Sequence, residues 1–285
     1  MKTLKYIFPI LFSIFFIACS NDDDDATIIP PNTDDSVEHL MLATTITNDT
    51  HEIEVYTEDG KIHQGYTEFT FRLKDIATET YISDVDFSWT PVMQMPSMQH
   101  SCPTSSITKV ADSKALYTAY AIFQMTGENG MGWTLNFEYT TGGETFDASK
   151  EINVKAATKK NVSVFMGSNG TKYILGLIPA KSEIGINDLT LSLHKMTSMM
   201  QFDVIEDHSI TLDPRMPAMG NHSSTNNVNP VFDAASKLYK GKVSLTMTGY
   251  WTLNFTVSDA DDTLIAGNEI TEDTPESSVM LEIEF

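Results

Sequence analysis

From about residue 38 the chain alternates between apolar and polar positions. His51-Glu52-Ile53-Glu54-Val55-Tyr56, Phe69-Thr70-Phe71-Arg72-Leu73 and Val85-Asp86-Phe87-Ser88-Trp89 carry their apolar side chains at every second position. Period-two alternation in such short runs predicts half-buried strands. Tyr117–Phe123, Trp133-Thr134-Leu135-Asn136-Phe137 and Ile152-Asn153-Val154 continue the pattern, and Asp59-Gly60, Asn129-Gly130 and Gly142-Gly143 supply turns between strands. No segment carries a helical stripe.

The order then recurs. Val162–Phe165, Tyr173–Leu177, Leu189–Leu193 and His208–Leu212 repeat the early strands, and Lys242–Met247, Trp251–Phe255 and Met280–Phe285 repeat the late ones. Trp133-Thr134-Leu135-Asn136-Phe137 returns as Trp251-Thr252-Leu253-Asn254-Phe255, each preceded by a Met-Thr-Gly, at Met125 and Met247. A tandem duplication is the economical account. About seven short strands per unit, with turn signals between them, predict two immunoglobulin-like antiparallel β-sandwiches. The expected units are residues 38–157 and 158–285, with Trp89, Trp133 and Trp251 in or near the cores.

The N-terminal residues read differently. Lys2 and Lys5 precede an apolar run from Ile7 to Ala18, too short for a lasting membrane span but suited to a secretory signal over 1–18. Phe16-Ile17-Ala18-Cys19 resembles the bacterial lipobox, with Phe16 in place of the usual Leu. The resemblance implies cleavage before Cys19, acylation of its thiol and anchoring in a membrane. Residues 19–37 then form an acidic, proline-containing tether that cannot build a core. The acidic run Asp22–Asp25 beside the Cys resembles the export signal of Bacteroidetes surface lipoproteins, which implies an outer-membrane lipoprotein displayed at the cell surface.

Charge narrows the partners. The chain carries a formal −21, and losing Lys2 and Lys5 with the signal takes the basic count from 18 to 16 against 39 acids, or −23. No basic patch is present to displace counterions from phosphate, so nucleic acid is not an expected partner. With Cys19 acylated, Cys102 is the one remaining thiol, so no disulfide staples either unit. The sequence holds no nucleophile elbow, no phosphate-binding glycine loop and no His-Glu-x-x-His, and an enzyme is not expected.

Candidate chemistry sits at Met95-Pro96-Ser97-Met98-Gln99-His100 and at its echo, Met216-Pro217-Ala218-Met219-Gly220-Asn221-His222. Thioethers are soft ligands that need no deprotonation and favour Cu(I), and imidazole accepts Cu(I) or Cu(II). Proline restricts the residue before it to extended geometry, so two sulfurs come near each other without a helix. Each loop leads into a long polar connection, Gln99–Ala115 or Gly220–Lys237, of the kind that is functional or mobile. The expected copper ligands are Met95, Met98 and His100 in the first copy, and Met216, Met219 and His222 in the second. Cys102, Met125, Met131, His208 and Met247 are further candidates. The alternative is that the methionines are adaptable hydrophobes on a module that binds a protein or glycan.

Met-Pro-x-Met-x-His, a long loop, then Met-x-Gly and Trp-x-Leu resembles the YtkA-like family, related in outline to FixH-type and CopC-type sandwich proteins. The resemblance covers the second half of each repeat. It implies an extracytoplasmic β-sandwich that binds or delivers copper, and it points to the same six Met and His residues; a copper donor or acceptor protein is an expected partner. The first copy departs from the second by the nearby Cys102 and by an insertion, Glu128–Gly132, that adds Met131.

Overall fold

The computed structural model describes residues 35–127 and 131–285. The expected signal, Cys19 and the tether as far as residue 34 lie outside them. The first half forms β1 (Met41–Thr47), β2 (His51–Thr57), β3 (Ile62–His63), β4 (Gly65–Asp75), β5 (Asp86–Gln94) and β6 (Gln99–His100). It continues with β7 (Thr108–Lys109), β8 (Tyr117–Phe123), β9 (Gly132–Thr141), β10 (Glu144–Ile152) and β11 (Val154–Lys155). The second half forms β12 (Val162–Met166), β13 (Lys172–Leu177), β14 (Gly185–Ser198), β15 (Gln201–Val204), β16 (Ser209–Met216) and β17 (His222–Ser223). Its remaining strands are β18 (Val228–Asp233), β19 (Leu238–Leu245), β20 (Tyr250–Ser258), β21 (Leu264–Gly267) and β22 (Val279–Glu284).

The two halves share one topology. In the first, a sheet ordered β1-β2-β4-β8-β7 faces a sheet ordered β10-β9-β5-β6. In the second, β12-β13-β14-β19-β18 faces a sheet in which β17, β16 and β20 are consecutive and β21 and β22 both pair with β20. Within these four sheets the strands pair antiparallel. Each half is an immunoglobulin-like sandwich, as the alternation predicts.

Alternation decides which side chains meet between the sheets. Phe69, Phe71 and Leu73 of β4 face Phe87, Trp89 and Met93 of β5 and Trp133, Leu135 and Phe137 of β9 in one apolar core. Leu189, Leu191 and Leu193 of β14, Tyr239 of β19 and Trp251, Leu253 and Phe255 of β20 build the second. All three tryptophans are buried, as expected.

The sandwiches also touch. Ile122, Val162 and Ile174 form a small apolar cluster between them, flanked by Tyr66, Tyr120, Met196 and Phe202. The Ser101 amide donates to the Met199 carbonyl at 2.8 Å, and Asn161 Nδ2 donates to the Gln64 carbonyl at 2.9 Å. Gly65 makes the latter approach possible: a Cβ there would lie 2.2 Å from Asn161 Oδ1, and its φ of 85° is itself disfavoured for other residues.

Two expectations need correction. The long polar connections, expected as loops, carry strands: the first contains β6, β7 and a bridge from Thr104 to Ala121, and the second contains β17 and β18. Nor does a free tether extend to residue 37. The Asp35 carboxylate accepts the Lys114 and Ala115 amides at 2.7 and 3.0 Å, which docks the chain onto the first sandwich before β1 begins.

Candidate metal site

β5 turns back on itself through Pro96-Ser97 and returns as β6. Gln94 pairs with Gln99, Met93 pairs with His100, and the Met95 amide donates to the Met98 carbonyl at 3.0 Å. Side chains two apart share a face, so Met93, Met95, Met98 and His100 all lie on one face of this hairpin. On the other side of β5, Met93 pairs with Trp133 and Gln94 with Gly132, and Met95 and Met131 are the next residues beyond this last pair, both packed against the first core. Two cross-strand rows result. The inner row is Trp133, Met93, His100, and the outer row is Met131, Met95, Met98. Neighbours in such a row have Cβ atoms about 4.5–5.5 Å apart, close enough for long thioethers to converge.

Burial grades outward along these rows. Met93 and Trp133 are fully enclosed, and Met95 and Met131 are half-buried against the same core. Met98 is 50% exposed, so the outer row opens to solvent at its Met98 end. His100 is 9% exposed and stands edge-on to Trp133, with ring centroids 5.4 Å apart. Its Nδ1 lies 2.8 Å from the Ser101 carbonyl. A carbonyl only accepts, so Nδ1 carries the proton and Nε2 keeps its lone pair. This is how metal-binding imidazoles are commonly oriented. Three thioethers and one oriented imidazole make a donor set that fits a soft monovalent ion.

The second loop does not repeat this set. Pro214 pairs with Leu253 as Pro91 pairs with Leu135, so Met216 is the counterpart of Met93 and not of Met95. The pairing of Met216 with His222 then reproduces that of Met93 with His100. Matching Met95-Pro96-Ser97-Met98 to Met216-Pro217-Ala218-Met219 is therefore out of register by two residues. Ala218 and Gly249 stand where the first copy has Met95 and Met131. Met216 is 6% exposed, and its methyl group fills the space above Gly249, where a Cβ would come within 2.8 Å of it. Met219 ends the 3-10 turn Pro217–Met219 in solvent, and His222 is exposed. One sulfur faces the core and the other faces water, so these residues do not fit a shared ion.

The further candidates separate cleanly. Cys102 is buried in the first core, where loss of water pushes its thiol well above the ordinary range, and a buried neutral thiol is a poor ligand. Met125 and Met247 do play matching parts, but through their backbone: their carbonyls accept Trp133 Nε1 at 2.9 Å and Trp251 Nε1 at 3.0 Å. His208 lies at the opposite end of β16 from Met216. Its Nδ1 is 2.9 Å from Asp207 Oδ1 and its Nε2 is 3.5 Å from the Tyr173 hydroxyl. Among the described residues no group of three or more His, Cys, Asp or Glu is placed to hold a metal, so any site here depends on thioethers. Sequence reasoning missed Met93, although Pro91-Val92-Met93 against Pro214-Arg215-Met216 carried the signal.

No family model and no curated protein matches the chain. Among solved structures it is similar to a conserved domain protein from Bacillus anthracis, with 9% identity over 89% of this chain and 92% of that one, at a TM-score of 0.32. It is also similar to the Escherichia coli adhesin FdeC, with 14% identity over 78% of this chain and 64% of that one, at a TM-score of 0.26.

Proposed function

We propose that this chain is an extracytoplasmic lipoprotein, anchored in the outer membrane through Cys19, whose first sandwich captures Cu(I) for storage, protection or delivery. The observation that supports this most is the row Met131, Met95, Met98 next to His100, whose Nδ1 is engaged by the Ser101 carbonyl so that Nε2 is left for a ligand. Copper would be held by these four residues and exchanged by ligand substitution, without bond-making in a substrate. On this reading the YtkA-like motif marks a working site in the first copy and a relic in the second. Capture by thioethers suits an exposed location, because a thioether, unlike a thiol, forms no disulfide and has no proton to lose before it binds.

A competition titration of the full chain against a chromophoric Cu(I) chelator tests the proposal. Met95→Ala/Met98→Ala/His100→Ala should abolish tight binding, and Met219→Ala/His222→Ala should leave it unchanged. Binding no tighter than that of an unrelated methionine-containing protein would remove copper from the account. It would favour the second reading, a module that contacts a protein or glycan. Met98, Met199 and Met200, all exposed near the seam between the sandwiches, support that second reading.

A further inference from the structure

His194 lies in the middle of β14, yet neither of its ring nitrogens has a hydrogen-bond partner among the described residues, and its exposure is 1%. Its position explains the burial. Leu189, Leu191 and Leu193 point into the second core, so Ser192, His194 and Met196 point to the opposite face of that sheet. That face is covered by the first sandwich. His194 pairs with Ile174, and Ser192 pairs with Gly176, where a Cβ would lie 3.1 Å from two carbons of Ile122. Ser192 Oγ is likewise buried without a partner among the described residues. Two neighbouring unsatisfied polar side chains are an uneconomical way to build a permanent apolar contact.

We propose that His194 makes the contact between the two sandwiches acid-sensitive: protonation of its enclosed imidazole drives the sandwiches apart at the Ile122–Ile174 seam. The titratable groups around it do not offset the charge. Tyr66 and Tyr120 stay neutral in acid, because burial pushes both hydroxyls up. Glu68 accepts the Tyr66 hydroxyl at 3.2 Å, Lys172 is exposed at the start of β13, and Asp203 on β15 is the acid that favours the cation. Burial outweighs Asp203 and holds the imidazole down at about 4, against an ordinary 6.5. The closed form thus binds fewer protons than the open form. Closure is fully favoured above pH 6.5, weakens as pH falls from there, and levels off below about 4.

Hydrogen exchange on the full chain reads the seam through the Ser101 amide, which donates across it to Met199. After correction for the intrinsic pH dependence of exchange, opening should be about 30-fold more frequent at pH 5 than at pH 7.5. His194→Leu removes the titrating group while keeping an apolar filling, and should abolish that acceleration. Gly176→Val, which crowds Ile122, should open the seam at both pH values. The same acceleration in His194→Leu, or none in the wild type, would overturn the proposal. So would an NMR titration in which the His194 ring protonates at its ordinary value with the Ser101 amide still protected.

Discussion

Truncating the two hairpin methionines Met93 and Met98 separately should give opposite outcomes, because the register places them at opposite depths. Met93 is fully buried between Trp133 and His100, so Met93→Ala leaves a cavity that close-packed neighbours fill only in part. Core Met→Ala changes cost about 2–5 kcal/mol. For a sandwich of this size, each kcal/mol is worth about 4 °C in melting temperature, so the first transition should fall by roughly 8–20 °C. Met98 is half exposed, and Met98→Ala should stay within about 0.5 kcal/mol of wild type. Differential scanning calorimetry of the metal-free full chain separates the two. Comparable losses, or a larger loss for Met98→Ala, would mean that the depths assigned along the hairpin are wrong. The row of thioethers beside His100 would then not exist.

Other consequences follow from the same packing. Glu54 and Arg72 pair at 2.8 Å with little exposure, and the guanidinium also takes Tyr56 and Tyr81, so Glu54→Ala should cost about 3 kcal/mol by urea denaturation. Arg72→Met/Glu54→Leu should recover most of it. The Tyr56 hydroxyl, pushed up to about 12 by burial and the Glu54 carboxylate, should be among several tyrosines, with Tyr239 and Tyr250, that resist ionisation until near that pH, and Tyr56→Phe should reduce that late-titrating absorbance. Cys102 should escape a thiol reagent in the folded chain and react at once in denaturant. In cells, a clickable fatty acid should label the wild type and fail to label Cys19→Ala.

The fold was legible because burial follows alternation so closely. In β4 and β5 nearly every second residue is buried, and the run Trp-Thr-Leu-Asn-Phe marks the same strand in both halves. The site was legible only in part. Met-Pro-x-Met draws the eye to a match of three letters in four, but strand register is set by Pro91 and Pro214 opposite Leu135 and Leu253, two residues earlier in the first copy. A two-residue slip preserves the face a side chain points to, so alternation cannot detect it. What it changes is depth, and depth is what separates Met95 from Met216. Met131 showed in the sequence as an oddity of the first copy, and only the pairing of β9 with β5 reveals that the register leads it toward Met95. The buried face of His194 was hidden for another reason. A strand covered by a second domain on its outer side looks, residue by residue, like one covered by its own core.

Copper K-edge X-ray absorption on the Cu(I)-loaded full chain tests the central claim most directly, because it counts the atoms bound to the ion. The account predicts a shell dominated by sulfur with a single imidazole, lost in Met95→Ala/Met98→Ala/His100→Ala and unchanged in Met216→Leu/Met219→Ala/His222→Ala. A shell of nitrogen and oxygen alone, or a spectrum indifferent to the first set of changes, would contradict it.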